Sequence, residues 1–277
     1  MPFRSELTGS IPDIVDELLS IEAFHPWIVY TFTGVLDISP TATSTGQENS
    51  LHNGSETTGR TALVVIAHHR SDSLTAHTAR RATAQLEAAG YRIDLLDLQA
   101  EGFDPRMTVE DQPEWGNRDK PYSAETQEHM RRILAADVVV TVFPVYWMSV
   151  PAILKGWIDR VWNYGFAYGR SKPRLAGKRI LWLGLGGIAA DDAALPDMQA
   201  TLEAQLNTGL AYYSGFAHSS VGLLPNAEER RQRLDPAGNF YLDEAAAGAQ
   251  RTAQYAEFDR RAAEFVEEFL AADRVAA

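Results

Sequence analysis

Cysteine is absent from the 277 residues, which excludes disulfide bonds, thiol catalysis and cysteine metal sites. Long apolar runs are absent too, since none approaches the roughly 18 residues that a membrane span needs, so we expect no integral membrane segment. Basic residues are in deficit, 25 against 37 acidic ones. The net charge of −12 argues against nucleic-acid binding, which relies on cations that contact phosphates. An anionic cofactor remains compatible with this charge because backbone amides can hold phosphate.

The acidic charge is concentrated at the start of the chain. Residues 1–60 hold eight acidic and two basic residues, so about a fifth of the length carries half of the net charge. Between Ser39 and Arg60, fifteen of 22 residues are Ser, Thr, Gly, Asn or Pro, a composition that buries too little apolar surface to offset its ordering entropy. We therefore predict an acidic N-terminal extension (1–38) without the features of a secretory signal, a flexible linker (39–60) and one large domain (61–277).

From Thr61 onward, predicted strands alternate with predicted helices. The runs ALVVIA (62–67) and DVVVTVF (137–143) are apolar enough to be strands buried on both faces. Such alternation implies right-handed crossovers and a parallel, doubly wound α/β sheet, in which ligands bind beyond the carboxyl ends of the strands. The loops after strands one, three and four are therefore the candidate site. The other predicted strands are 91–98, 179–184 and 216–224, and the predicted helices are 73–89, 123–136, one beginning at Pro151, 196–209 and 244–272.

The loop after the first strand, His68 to Thr75, contains neither the P-loop pattern nor G-x-G-x-x-G, which argues against Walker and Rossmann nucleotide sites. Its hydroxyl groups lie beside a helix N-terminus, where free amides and the helix dipole attract phosphate. A second interpretation is that Ser73 only caps the helix. His68 and His69 lack a third ligand at a recognisable spacing, so no metal site is predicted.

The loop after the third strand and the helix behind it are rich in aromatic residues (FPVYWMSVPAILKGWIDRVWNYGFAYG, 143–169). Ile153, Trp157 and Val161 recur at helical spacing and indicate a buried helix face. Two further clusters flank this helix in loops, where aromatic groups suit a planar cofactor and a planar substrate. After the fourth strand, glycines within 184–187 allow backbone N–H groups to approach a ligand. The two loop clusters are Tyr146, Trp147 and Met148 before the helix, and Tyr164, Phe166 and Tyr168 after it.

These loops resemble those of the flavodoxin-like NAD(P)H:quinone oxidoreductase family, which includes DT-diaphorase, the modulator of drug activity B and the ancillary oxidoreductases of potassium efflux. The resemblance covers about 61–213 and is strongest over 143–161, where the family reads much like F-P-L-Y-W-x-x-P-A-x-L-K-G-W-x-D-R-V. Gly102 to Pro105 and Gly165 to Tyr168 are family-like as well.

The resemblance implies a five-stranded parallel sheet with strand order 2-1-3-4-5. It also implies FAD or FMN as cofactor, with FAD favoured, and NADPH or NADH as the electron donor. The expected acceptor is a quinone or a similar flat small molecule. A homodimer and a cytoplasmic location are expected on the same basis.

Matched position by position, the resemblance implies three groups of cofactor contacts. The first holds the flavin phosphate, the second lies along the flavin ring, and the third directs amides at the N1 and O2 edge, where the reduced ring carries negative charge. These groups are, in that order, His68, Ser73, Leu74 and Thr75; Pro144, Val145, Tyr146, Trp147 and Met148; and Gly186 and Gly187. Substrate contacts are expected from Trp147, Tyr164, Phe166 and Tyr168, the last three as a wall shared between subunits.

Two departures separate this chain from the family pattern. Gly184 and Leu185 replace two threonines of the glycine-rich turn, and 188–195 offers neither the tyrosine nor the histidine to which DT-diaphorase assigns a charge relay. Hydride transfer needs no protein nucleophile, so the reaction stays possible without that pair, and no catalytic residue is predicted.

Two other interpretations of the function stay open. One is a regulatory subunit of a potassium efflux system; the other is an electron carrier like flavodoxin, against which the tryptophan-rich third loop argues.

Overall fold

The computed structural model describes residues 59–228, 232–234, 236–242 and 244–272. The predicted N-terminal extension and all but the last two residues of the predicted linker lie outside the described residues. In chain order the elements are β1 (Thr61–Ile66), α1 (Leu74–Ala88), β2 (Arg92–Asp97), α2 (Ala124–Ala135), β3 (Val138–Pro144), α3 (Ala152–Val161), β4 (Arg179–Leu185), α4 (Leu195–Glu203), a π-helix (Ala204–Tyr212), β5 (His218–Leu224), β6 (Gln232–Leu234), β7 (Phe240–Leu242) and α5 (Glu244–Ala271).

Strands β1 to β5 form one parallel sheet in the order β2-β1-β3-β4-β5, which confirms the predicted fold class and strand order. Ala62 pairs with Val138 at the start of the central strands. Chain connections leave β1 and β3 in opposite directions across the sheet, so the switch point of the topology lies between the carboxyl ends of these two strands.

Apolar layers cover both faces of the sheet. Strands β1, β3 and β4 are buried along their whole length, and successive side chains of a strand point to opposite faces. Leu63 and Val65 therefore belong to the core with α2, α3 and α4, whereas Val64 and Ile66 belong to the core with α1 and α5. None of the described helices combines the length and the apolar character needed to cross a membrane.

Three elements differ from the sequence prediction. Pro151 is the N-cap of α3 and not its first residue, because its ψ of 156° is extended. The helix predicted over 196–209 ends as α4 at Glu203 and continues as the π-helix, a change in hydrogen bonding that apolar spacing does not reveal. Strands β6 and β7 form an antiparallel pair that was not predicted, since three-residue strands are too short for an alternating pattern.

Segment 98–123 connects β2 to α2 and is held on α3 by a buried ion pair. Arg160, 3% exposed, donates to Oδ2 of the fully buried Asp111 at 2.8 Å. The backbone N–H and the hydroxyl of Ser123 donate to the same carboxylate at 2.8 and 3.0 Å. Burial alone would raise the pKa of the Asp111 carboxyl, but hydrogen bonds from Ser123 and Arg160 outweigh it and hold that pKa below its usual range. The pair thus fixes a long connection that contains no helix or strand.

Burial of His129 predicts a loss of stability below neutral pH. Its Nδ1 accepts a hydrogen bond from Nε1 of Trp157 at 3.1 Å. Burial lowers the pKa of His129, although Glu101 acts in the opposite direction. As the pH falls below about 6.5, a histidine in the unfolded chain binds a proton that folded His129 resists. The free energy of unfolding is therefore expected to fall, by at most about 1.4 kcal/mol per pH unit from this residue.

Urea unfolding between about pH 7.5 and about pH 5 measures this slope. His129→Gln keeps an acceptor for Trp157 but does not titrate, so its stability should depend less on pH than that of the wild type. Burial also lowers the pKa of His68, but His68 is present in both proteins and cancels in the difference. Equal pH dependence of the two proteins would contradict the expectation.

Candidate functional site

A cleft of about 560 Å³ opens at the carboxyl ends of β1, β3 and β4, the edge that the sequence predicted. Its volume lies within the range typical of small-molecule sites. Eight of the eleven predicted cofactor residues line it: His68, Ser73, Leu74, Thr75, Pro144, Val145, Tyr146 and Gly187. The other three, Trp147, Met148 and Gly186, are outside its lining. The assignment of individual cofactor contacts stays a prediction, whereas the convergence of these loops is a property of the fold.

The N-terminus of α1 presents open amides to the cleft. Ser73 is the N-cap: its hydroxyl accepts a hydrogen bond from Ala76 N–H at 3.1 Å and donates to the Arg70 carbonyl at 2.9 Å. No described residue accepts a hydrogen bond from the N–H groups of Leu74 or Thr75. The capping interpretation therefore holds for the Ser73 side chain, while the first-turn amides remain able to bind an anion. This donor set fits a phosphate group.

In the loop that precedes α1, the charged side chains pair with each other. Arg70 pairs with Asp72 at 2.8 Å, and the ring of His68 stacks on His69 with centroids 4.4 Å apart. Burial and the neighbouring His69 lower the pKa of His68, which favours its neutral imidazole. Its Nδ1 accepts from Arg70 N–H at 3.0 Å, and the described residues contain no group of three metal-ligating side chains.

After β3, the chain makes a strained two-residue turn. Tyr146 N–H donates to the Ser149 carbonyl at 2.9 Å, and Ser149 N–H donates back at 3.1 Å. Trp147 and Met148, the central residues, have φ of 51° and 62°, a left-handed conformation that is unfavourable for bulky residues. The Trp147 side chain is 99% exposed. Because backbone outliers concentrate at functional sites, this turn is a candidate contact surface for a planar ligand.

The glycine-rich turn after β4 presents only one of its two predicted glycines to the cleft. Gly186 N–H donates to the Leu224 carbonyl at 2.8 Å and its own carbonyl accepts from Ala227 N–H at 2.9 Å, so both groups extend the link to β5. Gly187 lines the cleft. A Cβ at Gly187 would lie 2.6 Å from Cδ of Glu228, which shows how closely that side chain approaches the turn.

The aromatic cluster after α3 divides into a buried and a half-buried part. Phe166 is 2% exposed and belongs to the core, so it presents little surface to a substrate, and its place in a substrate wall stays a prediction. Tyr164 and Tyr168 are half-buried and form an open cluster with Trp115, at centroid distances of 5.0 and 6.3 Å. Burial raises the pKa of Tyr168 to about 12. The loop itself covers Phe166, so the burial of this residue does not require a ligand.

Five lining residues lie outside the three predicted loops and were not predicted. Ala227 and Glu228 follow β5, and Gln254 and Tyr255 belong to α5, with Arg251 one helical turn earlier on the same face. A hydrogen bond connects α5 to the loop after β5, since Gln254 Nε2 donates to the Asn226 carbonyl at 2.7 Å. The i, i+3, i+4 spacing places polar groups on one face of α5, but no motif in the sequence links them to a loop 180 residues away.

The fold and the cleft define a doubly wound α/β protein in which the N-terminus of α1 lines a cleft at the carboxyl edge of the sheet. A family model described as "Flavodoxin-like fold" matches residues 60–239. The chain therefore belongs to the flavodoxin-like family.

Curated relatives and solved structures agree with this assignment. The chain is 44% identical to the uncharacterized NAD(P)H oxidoreductase YcaK of Escherichia coli (strain K12) over 124 residues, 45% of this chain and 63% of that protein. It is 31% identical to ribosyldihydronicotinamide dehydrogenase [quinone] of Mus musculus over 204 residues, 63% of this chain and 87% of that protein. The match thus spans less than two thirds of the first relative. A putative quinone reductase from Klebsiella pneumoniae shares the fold with a TM-score of 0.60 and 23% identity, covering 75% of this chain and 84% of that one.

Proposed function

We propose that this chain is a flavin-dependent NAD(P)H oxidoreductase. Bound flavin would supply the chemistry of hydride transfer, through its N5, from NADPH or NADH to a quinone or similar flat acceptor. The observation that carries the proposal is the cleft itself, in which the open amides of Leu74 and Thr75 meet the loops after β3 and β4. The relatives' names, which include NAD(P)H oxidoreductase and quinone dehydrogenase, support the same reaction class.

This chain's own residues would bind and orient the cofactor. The N-terminus of α1 would hold its phosphate, since helix dipole and free amides both favour an anion. Tyr146, which is half-exposed and lines the cleft, and Trp147 would contact the flat ring. Positioning of the two reactants supplies much of the rate enhancement in such a reaction, so the absence of the family's tyrosine and histidine pair is compatible with activity.

We favour FAD over FMN because Arg251, Gln254 and Tyr255 of α5 line the same cleft as the phosphate loop. These residues offer polar and aromatic groups that an adenosine diphosphate could use. Release of the cofactor from purified protein, followed by chromatography, distinguishes FAD from FMN.

The homodimer and the cytoplasmic location stay predictions from the resemblance. A regulatory subunit of a potassium efflux system would bind its partner tightly with negligible NAD(P)H oxidation, and no feature of the cleft favours it.

Leu74→Pro tests the phosphate site without breaking α1. Leu74 is the first residue of the helix, where proline is tolerated, and the extended ψ of 162° at Ser73 suits a residue that precedes proline. The substitution removes one open N–H. Because a hydrogen bond to a charged group contributes about 1.5–3 kcal/mol, flavin affinity should fall by about tenfold or more, as measured by fluorescence titration.

Two controls isolate the amide. Leu74→Ala removes the side chain but keeps the N–H, and should retain most of the affinity. Ala124→Pro makes the same backbone change at the first residue of α2, behind the N-cap Ser123 and away from the cleft. Wild-type protein that takes up neither FMN nor FAD would overturn the proposed function; flavin binding that Leu74→Pro leaves intact would overturn only the assignment of its phosphate.

A further inference from the structure

A second cleft, of about 600 Å³, opens at the amino ends of the strands, on the edge of the sheet opposite to the candidate functional site. Residues that precede or begin β1, β3 and β4 line this amino-edge cleft, among them Arg60, Val138 and Arg179. Its volume lies within the range typical of small-molecule sites. The two clefts share no lining residue, so a ligand in the amino-edge cleft would bind apart from the proposed flavin.

The lining of the amino-edge cleft is basic, although the chain as a whole is acidic. Of its ten lining residues, four are Arg or Lys and one is Asp, whereas the whole sequence has a net charge of −12. The carboxylate of that residue, Asp137, already accepts a hydrogen bond from Thr61 N–H at 2.7 Å. Basic side chains gathered in a cleft attract small anions. The four cations are Arg60, Arg174, Lys178 and Arg179.

Two of these cations keep hydrogen-bond donors for a ligand. The guanidinium of Arg174 makes no hydrogen bond or ion pair with a described residue, and its Cζ lies 5.7 Å from the ring centroid of Phe166. Nζ of Lys178 donates to the carbonyls of Leu134 and Ala136 at 2.7 and 2.6 Å, which uses two of its three N–H groups. The fork of Arg174 and one N–H of Lys178 therefore remain for an anion.

Arg60 is anchored beside the cleft, whereas Arg179 is directed to α5. Cζ of Arg60 lies 4.4 Å from the ring centroid of Tyr91, and its Nη2 donates to the Ala89 carbonyl at 2.8 Å. A ring and a carbonyl do not neutralise a guanidinium, so Arg60 keeps its positive charge at this edge. The guanidinium of Arg179 donates to the Phe269 carbonyl. The candidate binding groups are therefore those of Arg60, Arg174 and Lys178.

We propose that the amino-edge cleft is a second binding site, for a small polyanion that carries phosphate or carboxylate groups. The planar fork of Arg174 matches two oxygens of either group. Lys178 supplies a further N–H, and Arg60 supplies attraction from the side of β1. This inference is independent of the proposed function, since no residue of the flavin cleft takes part in it.

Isothermal titration calorimetry of the full chain, with pyrophosphate in one arm and citrate in the other, tests the site and distinguishes phosphate from carboxylate ligands. The protein is first saturated with flavin, so that the N-terminus of α1 is occupied. At least one anion should bind once per chain, with a dissociation constant below about 1 mM at low ionic strength. Added salt should weaken the binding, because charges at an open cleft are screened.

Arg174→Gln removes the guanidinium fork from an exposed position, so the variant should fold like the wild type. It should weaken the binding of the anion about tenfold. Arg174→Lys keeps the charge but loses the fork, and should restore part of the affinity. Equal affinity of Arg174→Gln and the wild type would overturn the inference.

Two control variants separate this site from general charge effects and from the first cleft. Arg80→Gln makes the same change in net charge on an exposed residue of α1 outside both clefts, and should bind the anion as tightly as the wild type. Leu74→Pro should also leave the binding unchanged, which keeps the test valid if the protein takes up no flavin. Failure of both anions to bind, or equal weakening by either control, would overturn the inference and leave the proposed function untouched.

Discussion

Trp157→Ala is expected to lower the free energy of unfolding by about 3–5 kcal/mol, as measured by urea unfolding. Trp157 is fully buried in the core beneath α3, so its removal leaves a cavity that the neighbouring helices fill only in part. The substitution also takes away the donor of the hydrogen bond to His129, leaving a buried acceptor without its partner. The sequence predicted this burial from helical spacing, and the structure confirms it.

Trp147→Ala makes the same chemical change where the side chain is 99% exposed, so the free energy of unfolding should change little. If Trp147 contacts the flavin ring as proposed, the loss of an aromatic contact of about 1 kcal/mol should weaken flavin binding about fivefold. The two variants therefore separate stability from binding. A large loss of stability in Trp147→Ala, with flavin affinity unchanged, would contradict the placement of this turn at the site.

Arg160→Met is expected to lower the free energy of unfolding by about 3–5 kcal/mol. The substitution leaves the fully buried carboxylate of Asp111 without its cation, so only neutral donors such as Ser123 N–H remain. The connection 98–123 also loses the hydrogen bond from Arg160 to the Asp104 carbonyl. Urea unfolding again measures the effect, and Arg131→Met, which breaks an exposed pair with Glu128, should lower stability by less than about 1 kcal/mol.

A double variant decides whether the charge itself is responsible. Asp111→Asn combined with Arg160→Met removes both charges, so it should be more stable than Arg160→Met alone. If the double variant is as unstable as the sum of the two single variants, the loss arises from packing around Arg160 and not from an unpaired carboxylate.

The sheet was predictable because its signals are local. The apolar runs of β1 and β3 are continuous, whereas a half-buried strand would alternate apolar and polar residues. The alternation of strands with helices then leaves few possible topologies for the sheet. The loops of the candidate site were predictable for a related reason, since the carboxyl ends of parallel strands must lie at one edge. Phe166, which is buried in the core, shows the limit of this reasoning: an aromatic residue in a loop is equally compatible with a ligand and with a loop that packs on itself.

Features that depend on distant partners were not predictable from a single sequence. Asp111 and Arg160 are 49 residues apart, and neither lies in a pattern that requires the other. The polar face of α5 reaches the cleft because α5 packs beside α1 on one face of the sheet, whereas Glu228 reaches it through the loop after β5, which is hydrogen-bonded to the turn after β4. The π-helix is likewise invisible to apolar periodicity, because its altered hydrogen bonding changes the register without changing which residue types are buried.

The position of β1 between β2 and β3 in the sheet has a consequence for folding kinetics. Thr61 N–H donates to Oδ2 of Asp137 across 76 residues of chain, so β1 cannot complete its pairing until β3 is available. Contacts between residues so far apart in sequence slow folding, because the intervening chain must first lose entropy. During synthesis, β1 can pair early only with β2, and the unpaired edge of that strand pair stays open to wrong partners until β3 emerges.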